Sequence, residues 1–309
     1  MIEQISWQLV LVIVVIITAL VLITKAVFDT FNIKVEYVDL SHITKLNKRV
    51  VLLSDQHLGV LKGEKFVRRT VNIINRLGSI DYVFHVGDFS EAVSIDKLEQ
   101  SFSPYSNIAI PQYAVLGNHD FEQFGNPLTK LIYDKTAYYI KMVESLEKNN
   151  IKVIDNMVID MIDFNLAGLS SRYSNFQDFS IYDGLVANRL NNNRIKESEA
   201  SKNFVNANNS LSNFKPTITL AHEPYNFDLV PSGVNTLMFS GHTHYGQVEI
   251  PIVDKFIVPK DPQYSKLDNY HKGLYTNIDK GSLFIGKGLG ESTLPFRFNS
   301  SPTIYVIEI

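Results

Sequence analysis

From Trp7 to Phe28 the chain is almost wholly Val, Ile, Leu and Ala, interrupted only by Gln8, Thr18, Thr24 and Lys25. A helix needs roughly 20 such residues to cross a bilayer core, so residues 1–28 are expected to form a transmembrane anchor. A soluble amphipathic helix would show polar residues every third or fourth position, which disfavours a buried core helix. A cleaved leader would start basic and carry a shorter apolar stretch. Here Glu3 precedes the run and no Lys or Arg comes before Lys25, although Thr24 and Ala26 make a weak small-x-small pair. Lys25 and Lys34 come after the span and none precedes it, so the positive-inside bias favours a cytoplasmic position for the rest of the chain.

Residues 29–47 mix charge with short apolar pieces and read as a membrane-proximal strand or linker; a single domain is expected over 48–309. Arg49 to Ser54 is a continuous apolar run ending at Asp55, the pattern of a strand buried on both faces. Phe66, Val67, Thr70, Ile73, Ile74 and Leu77 recur at helical spacing and stop at Gly78, a helix C-terminus signal. Asp81–Val86 leads into Gly87-Asp88, and Gln112–Leu116 leads into Gly117-Asn118-His119-Asp120. The alternation of strand, polar motif and helix predicts an α/β fold. A helix is expected over 136–149, short strands near 152–154, 157–161 and 165–168, and further strands at 217–221, 236–239, 282–285 and 303–309. The Asn-rich stretch 188–213 reads as a solvated helix with tolerant flanks or a cap.

The 29 Lys and Arg against 32 Asp and Glu leave a formal charge of −3. That balance offers no broad cationic face, so long nucleic acid is not an expected partner. The absence of cysteine excludes disulfides, zinc fingers and thiol catalysis without fixing the redox compartment. Of the 8 histidines, His57, His119, His222, His242 and His244 sit within two residues of Gly, Asn, Asp or Glu in turn-like segments. With Asp55, Asp88 and Asn118 they form a nitrogen-and-oxygen donor set large enough for two metal ions. Singly, each motif is commonly no more than a turn; five in this order point to a dinuclear metal hydrolase. Two ions about 3.5–4 Å apart need a shared carboxylate. Asp88, with Gly87 allowing close backbone approach, is the candidate bridge.

Asp-x-His, Gly-Asp, Gly-Asn-His, the lone His222 and Gly241-His242-Thr243-His244 together resemble the calcineurin-like metallophosphoesterases, from about Val50 to the C-terminus. Ala221-His222-Glu223-Pro224, His244-Tyr245-Gly246-Gln247, Gly288–Ser292 and Leu294–Arg297 are similar to its membrane-associated bacterial branch, which includes UDP-2,3-diacylglucosamine pyrophosphatase-like phosphodiesterases; Tyr245 stands where that branch has a second glycine. The resemblance implies a four-layer αββα metallophosphoesterase sandwich after the anchor. It implies one divalent ion on Asp55, His57, Asp88 and His244 and a second on Asp88, Asn118, His222 and His242, with manganese favoured over iron or zinc. It further implies hydrolysis by a hydroxide held between the ions, with His119 donating to the leaving group and Asp120 orienting His119 or only capping its turn.

The expected substrate is a phosphodiester or pyrophosphate, small or lipid-linked, met at the membrane. The rival readings are a general phosphomonoesterase or cyclic-nucleotide phosphodiesterase, and a non-catalytic membrane scaffold. His85 reads as a packed core histidine. Arg172, Tyr173 and Arg297 are candidates for gripping a phosphate, or for structural pairing. Tyr264, Tyr270 and Tyr275 read as loop packing. Nothing in the sequence fixes the oligomeric state.

Overall fold

A computed structural model of the chain describes residues 7–59, 61–91, 93–94, 97–121, 135–171, 215–230, 236–249, 270–292 and 294–309. The apolar N-terminal run forms the helix α1 (Trp7–Phe31), whose side chains stay exposed over most of its length. Next come β1 (Lys34–Asp39) and a single turn, α2 (Ser41–Thr44).

The first sheet has the order β1, β12 (Thr303–Glu308), β2 (Arg49–Leu53), β3 (Tyr82–Val86), β4 (Gln112–Val115), β5 (Ile151–Val153). Strands β2 to β5 run parallel. The second sheet has the order β10 (Gly273–Asn277), β11 (Gly281–Ile285), β9 (Thr236–Ser240), β8 (Thr217–Ala221), β7 (Asn165–Leu169), β6 (Met157–Asp160), with β7, β8, β9 and β11 parallel and both edges antiparallel.

The continuous apolar run of β2 has a physical reason. Val50 and Leu52 face the second sheet and join Phe84, Val86, Leu220, Phe239 and Phe284 between the sheets. Val51 and Leu53 face outward and pack with residues of α3 (Glu64–Ile74), α4 (Leu98–Phe102) and α5 (Lys135–Lys148). Both faces are covered, so neither can alternate with polar residues. Burying each of these large side chains contributes roughly 1.5–3 kcal/mol. The outer face of the second sheet is covered by Phe227, in a 3-10 segment at Pro224–Leu229, and by Val230 at its end; among the described residues no α-helix lies there. The Asn-rich stretch 188–213 lies outside the described residues, as do Arg172, Tyr173 and Tyr264.

Several boundaries shift. Helix α3 ends at Ile74 rather than Leu77, because Arg76 and Leu77 bond back to Ile73 and Ile74 in tighter i→i+3 turns. Tyr275 belongs to β10 rather than a loop. Of the two readings of 29–47, strand or linker, Lys34–Asp39 takes the first: it is a sheet strand in register with the C-terminal strand, Lys34 opposite Thr303 and Asp39 opposite Glu308.

The end of α1 is also built into the domain. Asp29 and Thr30 are buried. Asp29 Oδ2 accepts from the backbone N–H of Asn299 at 2.7 Å, and Thr30 Oγ1 accepts from that of Arg297 at 2.9 Å. Arg69 Nη1 donates to the Phe31 carbonyl at 2.8 Å. Because β12 is antiparallel to β2 and β1 is parallel to β12, the chain enters the sheet on the rim where β2 ends at Asp55.

Candidate metal centre

Parallel strands deliver their carboxyl ends to one rim, where α/β folds place ligands. Asp55 and His57 come after β2, Asp88 after β3, Asn118 and His119 after β4, His222 after β8, and His242 and His244 after β9. The structure brings all eight together.

One group consists of Asp55, His57 and His244: His57 Nε2 lies 3.0 Å from His244 Nε2, and His244 Nε2 lies 3.5 Å from Asp55 Oδ1. A second consists of Asp88, His222 and His242: His222 Nε2 lies 3.0 Å from Asp88 Oδ2 and 3.2 Å from His242 Nδ1. Asn118 Oδ1 joins it, 3.1 Å from His242 Nδ1. The groups meet at one atom, since Asp88 Oδ2 is also 3.4 Å from His57 Nε2. His119 lies beside them, its ring 4.8 Å from that of His57, and forms a third group with His57 and Asp88.

Ligand atoms held about 2.1 Å from a common cation in tetrahedral or octahedral array stand about 3.0–3.4 Å apart. The observed separations match those edges. Imidazole nitrogens crowd against one another and against buried carboxylates, an arrangement that suits divalent cations with mixed nitrogen and oxygen preference.

The backbone reports the same place independently. Asp55, His57, Asp88, His242 and His244 have φ of 47°, 43°, 53°, 69° and 52°. Non-glycine residues in the left-handed region cost about 1–3 kcal/mol each and concentrate at functional sites. Loop-to-loop hydrogen bonds hold them: the Asp55 N–H donates to the Gly87 carbonyl at 3.0 Å, those of Gln56 and His57 to the Asp88 carbonyl at 2.7 and 3.0 Å, and that of Gly241 to the His222 carbonyl at 3.0 Å. Two glycines are needed for closeness. A Cβ on Gly117 would stand 2.2 Å from Asp88 Oδ1, and one on Gly241 would stand 2.3 Å from Asp55 Oδ2.

A surrounding layer orients the rings. His222 Nδ1 donates to the Val86 carbonyl at 2.8 Å, so its Nε2 is the lone-pair nitrogen facing Asp88 when the ring is neutral. Glu91 lies 3.5 Å from His57 Nδ1. Of the two roles expected of Asp120, the structure supports capping of the turn rather than orienting of His119. Its Oδ1 accepts from the N–H groups of Phe89 at 2.8 Å and Ser90 at 3.1 Å, and its Oδ2 from that of Gly117 at 3.0 Å. It braces the two loops against each other, and burial together with the nearby Asp88 pushes its pKa up to about 7.

Arg297 takes the structural-pairing role, though in the interior rather than at the surface. It is fully buried and is not placed to grip a phosphate from solvent. Nε donates to the Gly290 carbonyl at 2.9 Å, and Nη2 reaches His244 Nδ1 at 3.3 Å. Glu291 balances it and also pairs with the buried Lys62, whose amine burial pulls down to about 8. Sequence reasoning missed Lys62 and Glu91 and gave Glu291, within Gly288–Ser292, no role, because an isolated charge carries no local sign of the partner it meets in the fold. His85 is the expected core residue, bonded to Gln112 Oε1 at 3.2 Å and lowered by burial to about 4.

Electrostatics divide the histidines. Burial takes His242 down to about 3, and burial with His57 and Arg297 takes His244 well below its ordinary range. Burial lowers His119 also, with Asp88 partly offsetting it. For His222 burial opposes charging, but Asp88 overrides it and holds the ring well above its ordinary value. His57 is raised against burial by Glu91 and Asp88. Asp88 itself lies well below the usual carboxylate range, since His222 and His119 outweigh its burial.

Residues 48–246 match the calcineurin-like phosphoesterase family. An uncharacterized metallophosphoesterase of Helicobacter pylori is 26% identical over 262 residues, covering 83% of this chain and 59% of its own length. A transmembrane protein with metallophosphoesterase domain from Danio rerio is 25% identical over 260 residues, covering 83% of this chain and 52% of that protein. UDP-2,3-diacylglucosamine pyrophosphatase LpxG of Chlamydia muridarum is 23% identical over 303 residues, covering 84% of this chain and 82% of that protein. The chain thus spans 59% of the Helicobacter relative's length. With the ordered motifs assembled at one rim and the match running over most of the chain, this protein belongs to the calcineurin-like phosphoesterase family.

Proposed function

We propose that the protein is a membrane-anchored phosphohydrolase that cleaves a phosphodiester or pyrophosphate bond, with α1 as the anchor and 48–309, joined by β1, as the catalytic domain. The observation that carries this reading is the single oxygen Asp88 Oδ2, within 3.4 Å of His57 Nε2 and 3.0 Å of His222 Nε2. Asp55, His57, Asp88 and His244 would hold one divalent cation; Asp88, Asn118, His222 and His242 would hold the other. Such a pair, when bound, supplies a water of lowered pKa and offsets charge on the phosphoryl oxygens. Asp88 keeps both halves in register, with Oδ1 accepting from the His119 N–H at 2.9 Å. His119 stands at the partly exposed side of the cluster. Its depressed pKa leaves a neutral ring there, which serves as a hydrogen-bond donor to the departing oxygen. The Chlamydia relative's name, a pyrophosphatase for a diacylated UDP-sugar, supports a lipid- or nucleotide-linked substrate.

The test uses the full chain in detergent. Chelation is expected to abolish hydrolysis and two equivalents of Mn²⁺ to restore it, with bis(4-nitrophenyl) phosphate or a dispersed lipid pyrophosphate cleaved at least about tenfold faster than a mono-ester. Preference for the mono-ester would favour a general phosphomonoesterase. No turnover with Mn²⁺, Fe²⁺ or Zn²⁺ would favour the scaffold.

Proton linkage gives a second expectation. Raised pKa values at His222 and His57 mean that protons occupy both rings in the cation-free site up to higher pH than usual. Each cation must expel one of them, so affinity rises with pH while those rings remain protonated, by up to about tenfold per unit for each cation and about 100-fold for the pair. Calorimetric titration with Mn²⁺ in buffers of different ionisation enthalpy counts the protons released; a pH-independent affinity would contradict the assignment.

A further inference from the structure

The apolar run Trp7–Thr24 is about 27 Å long at 1.5 Å per residue, close to the roughly 30 Å of a bilayer's hydrocarbon core. Its inner boundary therefore falls near Lys25, whose ammonium belongs at the headgroup level. Lys25 Nζ lies 5.2 Å from the centre of the Phe298 ring and 2.7 Å from Asp29 Oδ2. The loop carrying Phe298 therefore stands at the depth where hydrocarbon gives way to headgroups.

That loop is apolar and outward-facing. Leu294 is 42% exposed and Phe296 37% exposed, with the exposed Pro295 between them. Its backbone is nonetheless fixed. Gln247 Nε2 donates to the carbonyls of Leu294 and Phe296 at 2.6 and 2.8 Å, and Gln247 Oε1 accepts from the Ser292 N–H at 2.9 Å. The next residue, Arg297, ties the loop to Thr30 on one side and to His244 on the other. A rigid Leu-Pro-Phe projection beside an apolar helix calls for an apolar cover, and the bilayer that carries the helix is already at that level.

We propose that Leu294–Phe296 dips into the headgroup layer of the membrane spanned by α1, seating the metal centre against the bilayer so that its substrate is a phosphoester lipid drawn from that same layer. The seat rests on the geometry of α1 and the loop. The substrate half rests in addition on the hydrolase reading. Helix and loop converge on the His244 side of the cluster, so a headgroup phosphate meets the centre without leaving the interface. Two strongly exposed aliphatic side chains, Ile162 before β7 and Ile278 before β11, lie at the opposite ends of the parallel strands and serve as aqueous controls.

The absence of cysteine makes the test clean. Leu294→Cys, Phe296→Cys and the control Ile278→Cys are introduced singly into the full chain, labelled with a nitroxide and placed in phosphatidylethanolamine and phosphatidylglycerol nanodiscs. Collision with oxygen is expected to exceed collision with an aqueous nickel chelate at 294 and 296, with the reverse at 278. Nickel accessibility at 296 equal to that at 278 overturns the seat. For the substrate half, Phe296→Ser is expected to slow turnover of a vesicle-embedded lipid pyrophosphate by at least about tenfold while leaving that of soluble bis(4-nitrophenyl) phosphate unchanged. Equal loss on both overturns it. A full chain that turns over neither substrate overturns the hydrolase reading and the substrate half with it, while the collision ratios still decide the seat.

Discussion

Asp88→Asn is expected to take the protein from two bound cations to almost none and to lower kcat/KM by at least about 1000-fold, a loss of about 4 kcal/mol. The amide matches the carboxylate in shape, so the fold should survive, yet neither orientation of it can serve. With its oxygen accepting from the His119 N–H, as Oδ1 does at 2.9 Å, the NH₂ occupies the shared position between His57 and His222 and offers no lone pair to a cation. Turned over, the oxygen faces the cations but the NH₂ meets the His119 N–H, donor against donor, in a buried site where an unmade bond costs about 1–3 kcal/mol. Elemental analysis of the purified variant beside initial rates on bis(4-nitrophenyl) phosphate measures both effects. One cation retained at full occupancy would show that Asp88 serves a single ion.

The parts of this architecture legible in the sequence are those whose cause is local. Apolar runs such as Val50–Leu53 announced strands covered on both faces, and the polar motif after each run marked the rim. Strand β1 was not legible in that way. Lys34–Asp39 has mixed burial, and what makes it a strand is its register with Thr303–Glu308 at the far end of the chain. The tie between α1 and the domain has the same character. Asp29 and Thr30 look like the solvated end of a membrane helix until the chain returns at Arg297 and Asn299 to meet them.

Buried charge is the other blind spot. Lys62, Glu291 and Arg297 look like surface residues by type, and only their mutual pairing, with carbonyls at Leu289 and Gly290, makes burial tolerable. Asp120 shows the converse. Its place beside His119 suggested a partner for that ring, whereas three backbone N–H groups of two loops claim both its oxygens. The left-handed backbone at Asp55, His57, Asp88, His242 and His244 had only a weak sequence signal, since Asp and His enter that region more readily than most non-glycine residues but do so here because neighbouring loops hold them.

His119→Ala should behave unlike Asp88→Asn. The substitution removes the imidazole but keeps the backbone N–H that Asp88 Oδ1 uses, so both cations should stay at near wild-type content. If His119 donates to the departing oxygen, its loss should slow hydrolysis by about 100-fold to 10,000-fold, and unevenly across substrates. A nitrophenolate leaves with its charge delocalised and needs little help, so that diester should lose least; an alkyl ester or a poorly stabilised phosphate leaving group should lose most. Rates plotted against the leaving group's pKa should therefore fall more steeply for the variant than for the parent chain. His119 also clusters with His57 and Asp88, and the same measurements distinguish that role. A cation lost together with activity, and a slope unchanged from the parent, would make His119 a ligand rather than a donor.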